Sequence, residues 1–304
     1  MWRLQRSQDS DALFFQEIAN RGHYRGGGST RQGIYVCSSS GKMMSSINSL
    51  DADKVLETIE VGLKKWNDLP SSERYLSSTL SMNTIHRWEN SYPDEGLIMT
   101  SVNADLFTDP PVQANRSNRW NMDHVWFNIS EARSWLPDDP QMKDVYELPE
   151  TLVNRLICFH LVDNVRGQTL PFAPQEVKEA GIEIEVLERQ NSTVQIKIRG
   201  HSEAVAKGEW LLGENDWTPD YPLDHGMKTN IIGEAEYDLN RNKFTEFEMV
   251  AIGKRYGKTK FNSRQSNTES SYVGFLFSLA ENGKADKIAP AFVDIYNADW
   301  IVKP

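Results

Sequence analysis

The sequence predicts an α+β protein, with an α/β region at the N-terminus and a C-terminal antiparallel β-barrel or sandwich against which one helix packs. Two patterns indicate this class. Apolar and polar residues alternate in 182–198, which is typical of strands with one solvent-exposed face. An apolar face over residues 149–162 indicates an amphipathic helix. The 304 residues also exceed the usual domain length of about 100–200 residues, so we expect more than one domain.

The C-terminal half carries a series of strand patterns. The apolar residues of 182–186 alternate with glutamates, and those of 194–198 repeat the alternation after the turn Gln190-Asn191-Ser192. Pro149 and Glu150 suit the first turn of the preceding helix, because the helix N-terminus has free amides and a positive dipole end. Further strands are predicted at 231–239, 244–252 and 273–279.

The N-terminal region predicts a helix, a hairpin and a second helix. Ser10 or Asp11 can cap the first helix. Residues 33–47 then form two short strands around a turn at 38–41. From Asp51 onward, apolar residues recur at helical spacing. The stripe that we expect to be buried consists of Val55, Ile59, Leu63 and Trp66.

The order strand, Ser-Ser-Gly-Lys turn, strand and helix within 33–66 resembles the C-terminal half of the thioredoxin-family fold, and the resemblance extends from Asp11 to Trp66. The chain is also similar to uncharacterised bacterial proteins that carry such a region ahead of a β-rich domain. The family's CxxC is absent, and Ser29-Thr30-Arg31-Gln32 stands where the family has a cis-proline. Because dithiol exchange needs an attacking thiolate and a resolving thiol, the resemblance implies a fold without that activity.

We expect three regions along the chain. Residues 1–67 form the thioredoxin-like region, which lacks redox cysteines. Residues 68–147 form an irregular aromatic- and proline-rich connector, because turn signals such as Leu69-Pro70 recur there. Residues 148–304 form the β-rich domain. The connector has much apolar surface to bury on Trp88, Trp120, Trp126 and Trp135.

Charge and hydropathy argue against several classes of partner. The formal net charge is -10, which repels a phosphate backbone, so we expect no nucleic acid. No run approaches the ~20 apolar residues of a membrane span. We therefore expect a soluble protein, either cytoplasmic or secreted after loss of a leader. The oligomeric state stays open.

The sequence offers no pattern for a metal or a cofactor. Its six histidines are scattered without an HExxH or HxH motif, so we expect no metal site and no cofactor. Cys37 and Cys158 belong to no CxxC pair. We expect both to be reduced, small core residues, with a mutual disulfide or a nucleophilic thiol as the alternatives.

A polar group at the end of the 149–162 helix supplies the candidate catalytic residues, which are His160, Asp163 and Arg166. A helix terminus can aim an imidazole and a carboxylate into a cleft, where Arg166 would hold an anion. The alternative is structural. Asp and Asn residues after a helix commonly stabilise its exit turn, and His160 would then bond a loop carbonyl.

Two further segments carry candidate ligand-binding residues. Residues 118–126 mix indoles with polar groups, as sugar and heterocycle pockets do, although the tryptophans alone would also anchor a connector. The basic residues of 254–264 predict a site for an anionic ligand, with a solvated hairpin loop as the alternative. The candidates in these segments are Arg119, Trp120, Asp123, His124, Arg255 and Arg264.

These observations together favour a non-redox binding protein. We expect it to hold a small polar or anionic molecule in the β domain or in a cleft between the domains, because no catalytic signature accompanies the aromatic and arginine-rich loops. The alternative is a hydrolase or other acid–base enzyme. In that case His160 and Asp163 transfer protons, and Arg166 or Arg264 holds the charge of the substrate.

Overall fold

A computed structural model describes most of the chain, and the described residues divide into two units. The smaller unit contains the described residues up to 75, and the larger unit contains those from 91 onward. The described residues are 8, 10–25, 31–75, 91–106, 120–167, 169, 171–207, 224–259, 262–264, 270–280, 283 and 287–293.

The smaller unit has the predicted order of helix, hairpin and helix. Its two strands pair in an antiparallel hairpin, with Ile34 opposite Ile47. The elements are α1 (Ser10–Asn20), β1 (Ile34–Cys37), β2 (Met43–Ile47), α2 (Ala52–Asp68) and the short α3 (Ser71–Arg74). The thioredoxin resemblance of this region stays a prediction.

Helix α2 packs on the hairpin through a face that only partly matches the predicted stripe. Asp51 caps it as expected, accepting hydrogen bonds from the amides of Asp53 and Lys54. Gly62 is buried against the hairpin, and Val55 and Trp66 of the predicted stripe are half-buried. Ile59 and Leu63 are 45% and 56% exposed, so the prediction was wrong for these two. Gly62 was missed because a glycine carries no hydrophobic signal and yet permits the closest approach of helix to strand.

The larger unit is built on one eight-stranded antiparallel sheet. Its strand order is β4-β3-β10-β9-β8-β7-β6-β5. The predicted hairpin at 182–198 is present, with Gln190 opposite Thr193. The strands are β3 (Leu97–Leu106), β4 (Trp120–Phe127), β5 (Val145–Glu147), β6 (Val177–Gln190), β7 (Thr193–Lys207), β8 (Asp224–Asp238), β9 (Lys243–Gly257) and β10 (Ser270–Leu279).

The predicted fold class is wrong. The described residues are mostly β, with few helices, and the large sheet is open rather than closed into a barrel or folded into a sandwich. Strands β4 and β5 lie at its opposite ends, and within the described ranges they do not pair with each other. Alternation identifies a strand but not its neighbours, so the sequence could not distinguish an open sheet from a closed one.

One face of the sheet, here called the inner face, is covered by the helices of the larger unit. These are α4 (Ile129–Arg133) and α5 (Glu150–Arg155), and α5 continues as a π-helical turn over Leu156–His160. A short 3-10 turn over Pro174–Glu176 leads into β6. The predicted 149–162 helix thus starts where expected, but its last turn has one residue more than an α-helical turn.

The core lies between the inner face and these helices. Trp135 is fully buried and meets Phe127, Phe244 and Phe247 edge to face, at ring-centroid distances of 5.9, 6.4 and 5.3 Å. Such edge-to-face pairs are favoured by the quadrupoles of the rings. The large aromatic and aliphatic core therefore holds α4 and α5 on the sheet.

The two cysteines differ in their surroundings, and both are free. Cys158 is buried in the core as predicted, and its burial raises the pKa of its thiol to about 12. Cys37 is exposed rather than a core residue, although desolvation still raises the pKa of its thiol. Both shifts reduce the thiolate fraction at neutral pH, which lowers thiol reactivity.

No helix in the described part of the chain is long and apolar enough to cross a membrane.

The contact at Gly62 provides a test of how α2 packs. A Cβ at this position would lie 2.5 Å from Cγ1 of Val36 and 2.7 Å from Oγ of Ser45. We expect Gly62→Val to reduce the free energy of unfolding of the smaller unit by about 2 kcal/mol, because overpacking forces the helix away from the hairpin. Hydrogen exchange of the α2 amides should increase accordingly.

The matched control is Lys64→Val, which places the same residue on the exposed side of α2. It should change stability by about 0.5 kcal/mol or less. Equal losses of protection in the two variants would contradict the observed packing of α2.

Candidate functional site

The inner face becomes polar at one end of the sheet. Along β3, the inward positions change from the apolar Leu97 and Met99 to Ser101, Asn103 and Asp105. Polar groups that leave water in this way must find partners, because an unpaired buried polar group is costly. The end of β3 is therefore where a specific polar arrangement has to be built.

Two segments bring charged side chains to this end of the sheet. The loop after the π-helical turn carries Asp163 and Arg166, and the segment after β9 carries Arg264. Arg255, near the end of β9, points inward and is 1% exposed. We call Asp105, Asp163, Arg166, Arg255 and Arg264 the arginine cluster.

Arg264 is the centre of the arginine cluster. Its Nε donates to Oδ2 of Asp163 at 2.8 Å, and its Nη2 donates to Oδ1 of Asp163 at 2.6 Å and to Oδ1 of Asp105 at 2.8 Å. The Nε of Arg166 donates to the other oxygen of Asp105 at 2.6 Å. The Nε of Arg255 lies 3.2 Å from Oδ2 of Asp163. Each carboxylate thus serves two guanidiniums.

Guanidiniums outnumber carboxylates among the named members of the cluster. Within the described residues, three guanidiniums share two carboxylates. Burial acts to lower the pKa of Arg264, but the hydrogen bonds and charges of Asp163 and Asp105 outweigh it and raise the pKa overall. Arg264 therefore stays protonated in its buried position.

One donor of the cluster has no acceptor. The Nη1 of Arg264 is buried and has no hydrogen-bond partner within the described residues. Arg264 as a whole is 4% exposed, whereas the side chain of its neighbour Arg166 is 20% exposed. The cluster thus combines a buried free donor with one guanidinium that reaches solvent.

Asparagines hold the loop that carries Asp163. The Nδ2 of Asn103 donates to Oδ1 of Asn164 at 2.5 Å, and Nδ2 of Asn121 donates to the backbone carbonyl of Asn164 at 3.2 Å. The amide of Arg264 donates to Oδ1 of Asn262 at 3.2 Å. These bonds fix the backbone on both sides of the ion pairs, which preorganises the cluster.

A second polar pair lies beside the cluster and links the π-helical turn to β4. The Nδ1 of His160 lies 3.4 Å from Oδ2 of Asp123. The other oxygen of Asp123 accepts hydrogen bonds from the amides of His124 and Ala291, at 2.8 and 3.0 Å. The side chain of His160 has no exposed surface. The carboxylate that the sequence assigned to His160 was Asp163, but here Asp163 receives the guanidiniums.

The structure brings together candidates that the sequence placed in separate groups. Asp163 and Arg166, predicted as catalytic, lie with Arg255 and Arg264, predicted as ligand-binding. The candidates of the third group are dispersed. Asp123 is on the inner face, His124 is buried on the opposite face, Trp120 is 61% exposed, and Arg119 lies outside the described residues.

Sequence reasoning missed Asp105 and Asn103. A usable signal was present, because polar residues take the positions in β3 that continue the apolar series of Leu97 and Met99. Polar residues in phase with a buried face indicate a buried polar site. As for metals, the described residues contain no group of three or more His, Cys, Asp or Glu side chains placed to hold an ion.

The ion pairs of Arg264 yield a stability test. We expect Arg264→Met to reduce the free energy of unfolding by about 3 kcal/mol, because Asp105 and Asp163 lose three charge-assisted hydrogen bonds in a buried place. Arg264→Lys keeps the charge but cannot bind Asp163 with two nitrogens, so its loss should be intermediate. Denaturant unfolding followed by tryptophan fluorescence measures both.

Arg199→Met is the control, because Arg199 is exposed and lies 3.6 Å from Glu185. Exposed pairs contribute little, so we expect a change of about 0.5 kcal/mol or less. Arg264→Met behaving like this control would mean that the buried pairs do not organise the larger unit.

Comparison with known proteins gives no family assignment. A scan against protein-family models, a search of curated proteins and a search of solved structures each found no match. The function therefore has to be inferred from the chemistry of the site.

Proposed function

We propose that the larger unit is a binding protein for a small anion, of the carboxylate or phosphate class, and that the arginine cluster is its site. The observation that carries the proposal is the buried Nη1 of Arg264, which has no acceptor within the described residues while Nε and Nη2 of the same guanidinium bind Asp163. A buried donor without an acceptor is costly. An anion that supplies the acceptor would therefore bind favourably.

The unpaired donor indicates where the anion would interact. Nη1 of Arg264 has no acceptor within the described residues, and an oxygen of the anion would provide one. Planar guanidiniums match carboxylate and phosphate oxygens in geometry, and their hydrogen bonds to anions are among the strongest in proteins. The partly exposed Arg166 supports an approach from solvent on its side of the cluster.

The cluster also serves as an internal cross-link, and this role is compatible with binding. Asp105 is on β3, Asp163 is in the loop after the π-helical turn, and Arg255 is on β9. A purely structural cross-link would need no unused donor. The Nη1 of Arg264, which has no acceptor within the described residues, is the feature that favours a ligand.

The acid–base alternative has less support. His160 lies 3.4 Å from Asp123, and its side chain has no surface exposed to a substrate. The carboxylate of Asp163 accepts two hydrogen bonds from Arg264, so both of its oxygens are engaged. The π-helical turn at His160 is the one feature typical of functional sites.

The proposal predicts saturable anion binding. We expect acetate, succinate or phosphate, titrated at constant ionic strength against chloride, to raise the melting temperature and to give a calorimetric binding isotherm. Arg166→Gln should weaken binding at least about 10-fold, because it removes the accessible guanidinium. It should still fold, since Asp105 keeps its bond to Arg264.

Arg199→Gln is the matched control for this titration and should bind like the unaltered chain, because Arg199 lies on the opposite face of the sheet. The proposal fails if none of the three anions binds below about 10 mM. It also fails if Arg166→Gln and Arg199→Gln bind with equal affinity.

A further inference from the structure

The face of the sheet opposite the core, here called the outer face, has an unusual arrangement of charge. On neighbouring strands β8 and β9, Glu234 lies directly opposite Glu248, Glu236 opposite Glu246, and Lys228 opposite Lys254. Like charges at directly opposed positions destabilise a sheet. Three such pairs on two strands suggest that a partner supplies the missing countercharges.

These charges are only partly compensated within the chain, where Lys197 on β7 lies directly opposite Glu234. Lys228 donates to Glu203 at 2.7 Å, and Glu236 accepts a hydrogen bond from Thr245. In the part of the chain that the structure describes, however, Glu234, Glu246, Glu248 and Lys254 form no ion pair. The acidic pairs lie toward one end of the outer face and the lysine pair toward the other.

Apolar side chains occupy the space between the two charged ends. Ile232, Ile252 and Leu276 are 64%, 45% and 40% exposed, and they are neighbours across β8, β9 and β10. Single exposed apolar residues are ordinary, but a contiguous group flanked by charges is typical of a protein interface.

The two charged ends also differ in shape. The acidic end surrounds a hollow of about 760 Å³, whose lining includes Ile232, Glu234, Glu246 and Glu248. The basic end carries the ring of Tyr256, which fills the space beside Gly226, where a Cβ would collide with it. One end of the outer face is therefore recessed, and the other end carries long or bulky side chains.

These features are related by a two-fold rotation. The buried pair Ile231 and Ala251 lies midway along the pattern on β8 and β9. Consider a two-fold axis that lies between two facing copies and runs perpendicular to their strands at this level. It places each residue of one copy over the residue of the same strand in the other copy that lies equally far on the opposite side of the axis. It brings Lys254 of one copy over Glu248 of the other, and Lys228 over Glu234. It also brings the Tyr256 end over the recessed end.

We propose that the outer face binds the outer face of a second copy of this chain, with the strands of the two copies antiparallel. The charge pattern is self-complementary, as an isologous two-fold interface requires. The five neighbouring strands β6–β10, about 4.8 Å apart and taken as about 23 Å long, span roughly 550 Å² on each copy. The pair covers about 1,100 Å², which lies just above the lower limit for a specific interface.

Charge reversal tests this arrangement in solution. The full chain should form a dimer in sedimentation velocity, and dissociation should increase with salt. The variants Glu234→Lys/Glu248→Lys and Lys228→Glu/Lys254→Glu should each weaken self-association at least about 10-fold, because like charges then face each other. Mixed in equal amounts, the two variants should form a heterodimer, since their outer faces are opposite in charge.

The control is Glu57→Lys/Glu60→Lys, which makes the same change of charge on exposed positions of α2. It should leave self-association unchanged, and circular dichroism should show all variants folded. A monomer at every concentration up to about 100 μM overturns the proposal. A dimer that resists both reversals, or two variants that fail to form a heterodimer, overturns it as well.

Discussion

The buried ion pairs of Arg264 connect parts of the larger unit that are distant in the sequence. This guanidinium binds Asp163, 101 residues away, and Asp105, 159 residues away. A buried charge must be paired, so each segment is held where its partner lies. The end of β3, the loop after α5 and the segment after β9 therefore adopt their positions together, and the polar end of the inner face exists only when all three are in place.

Strands whose inward residues are all apolar could be predicted from sequence. The inward positions of β6 and β7 are occupied by isoleucine and valine in the 182–198 hairpin, and its turn at 191–192 lies within the predicted 190–192. The start of α5 was equally clear. In these elements the local pattern and the tertiary environment require the same residues, so a local reading is sufficient.

Strand β4 shows why the rest could not be predicted. Its inward positions include Asn121 and Asp123, while the outward Trp120 and Met122 are 61% and 50% exposed. The hydrophobic pattern at this end of the strand is thus inverted, because the partners of Asn121 and Asp123 come from Asn164 and His160. Local periodicity can mark a polar position on a buried face, as at Asp105, but it cannot identify a partner as distant in the chain as Arg264.

The π-helical turn at Leu156–His160 changes the direction in which the chain leaves α5. The amide of Leu161 donates to the carbonyl of Leu156 at 2.9 Å, which is one residue further back than in an α-helix. Each residue of a regular α-helix would turn the chain by about 100°, whereas the wider turn rotates it less per residue. The loop that carries Asp163 to the guanidiniums therefore starts from a backbone direction that a regular helix would not give.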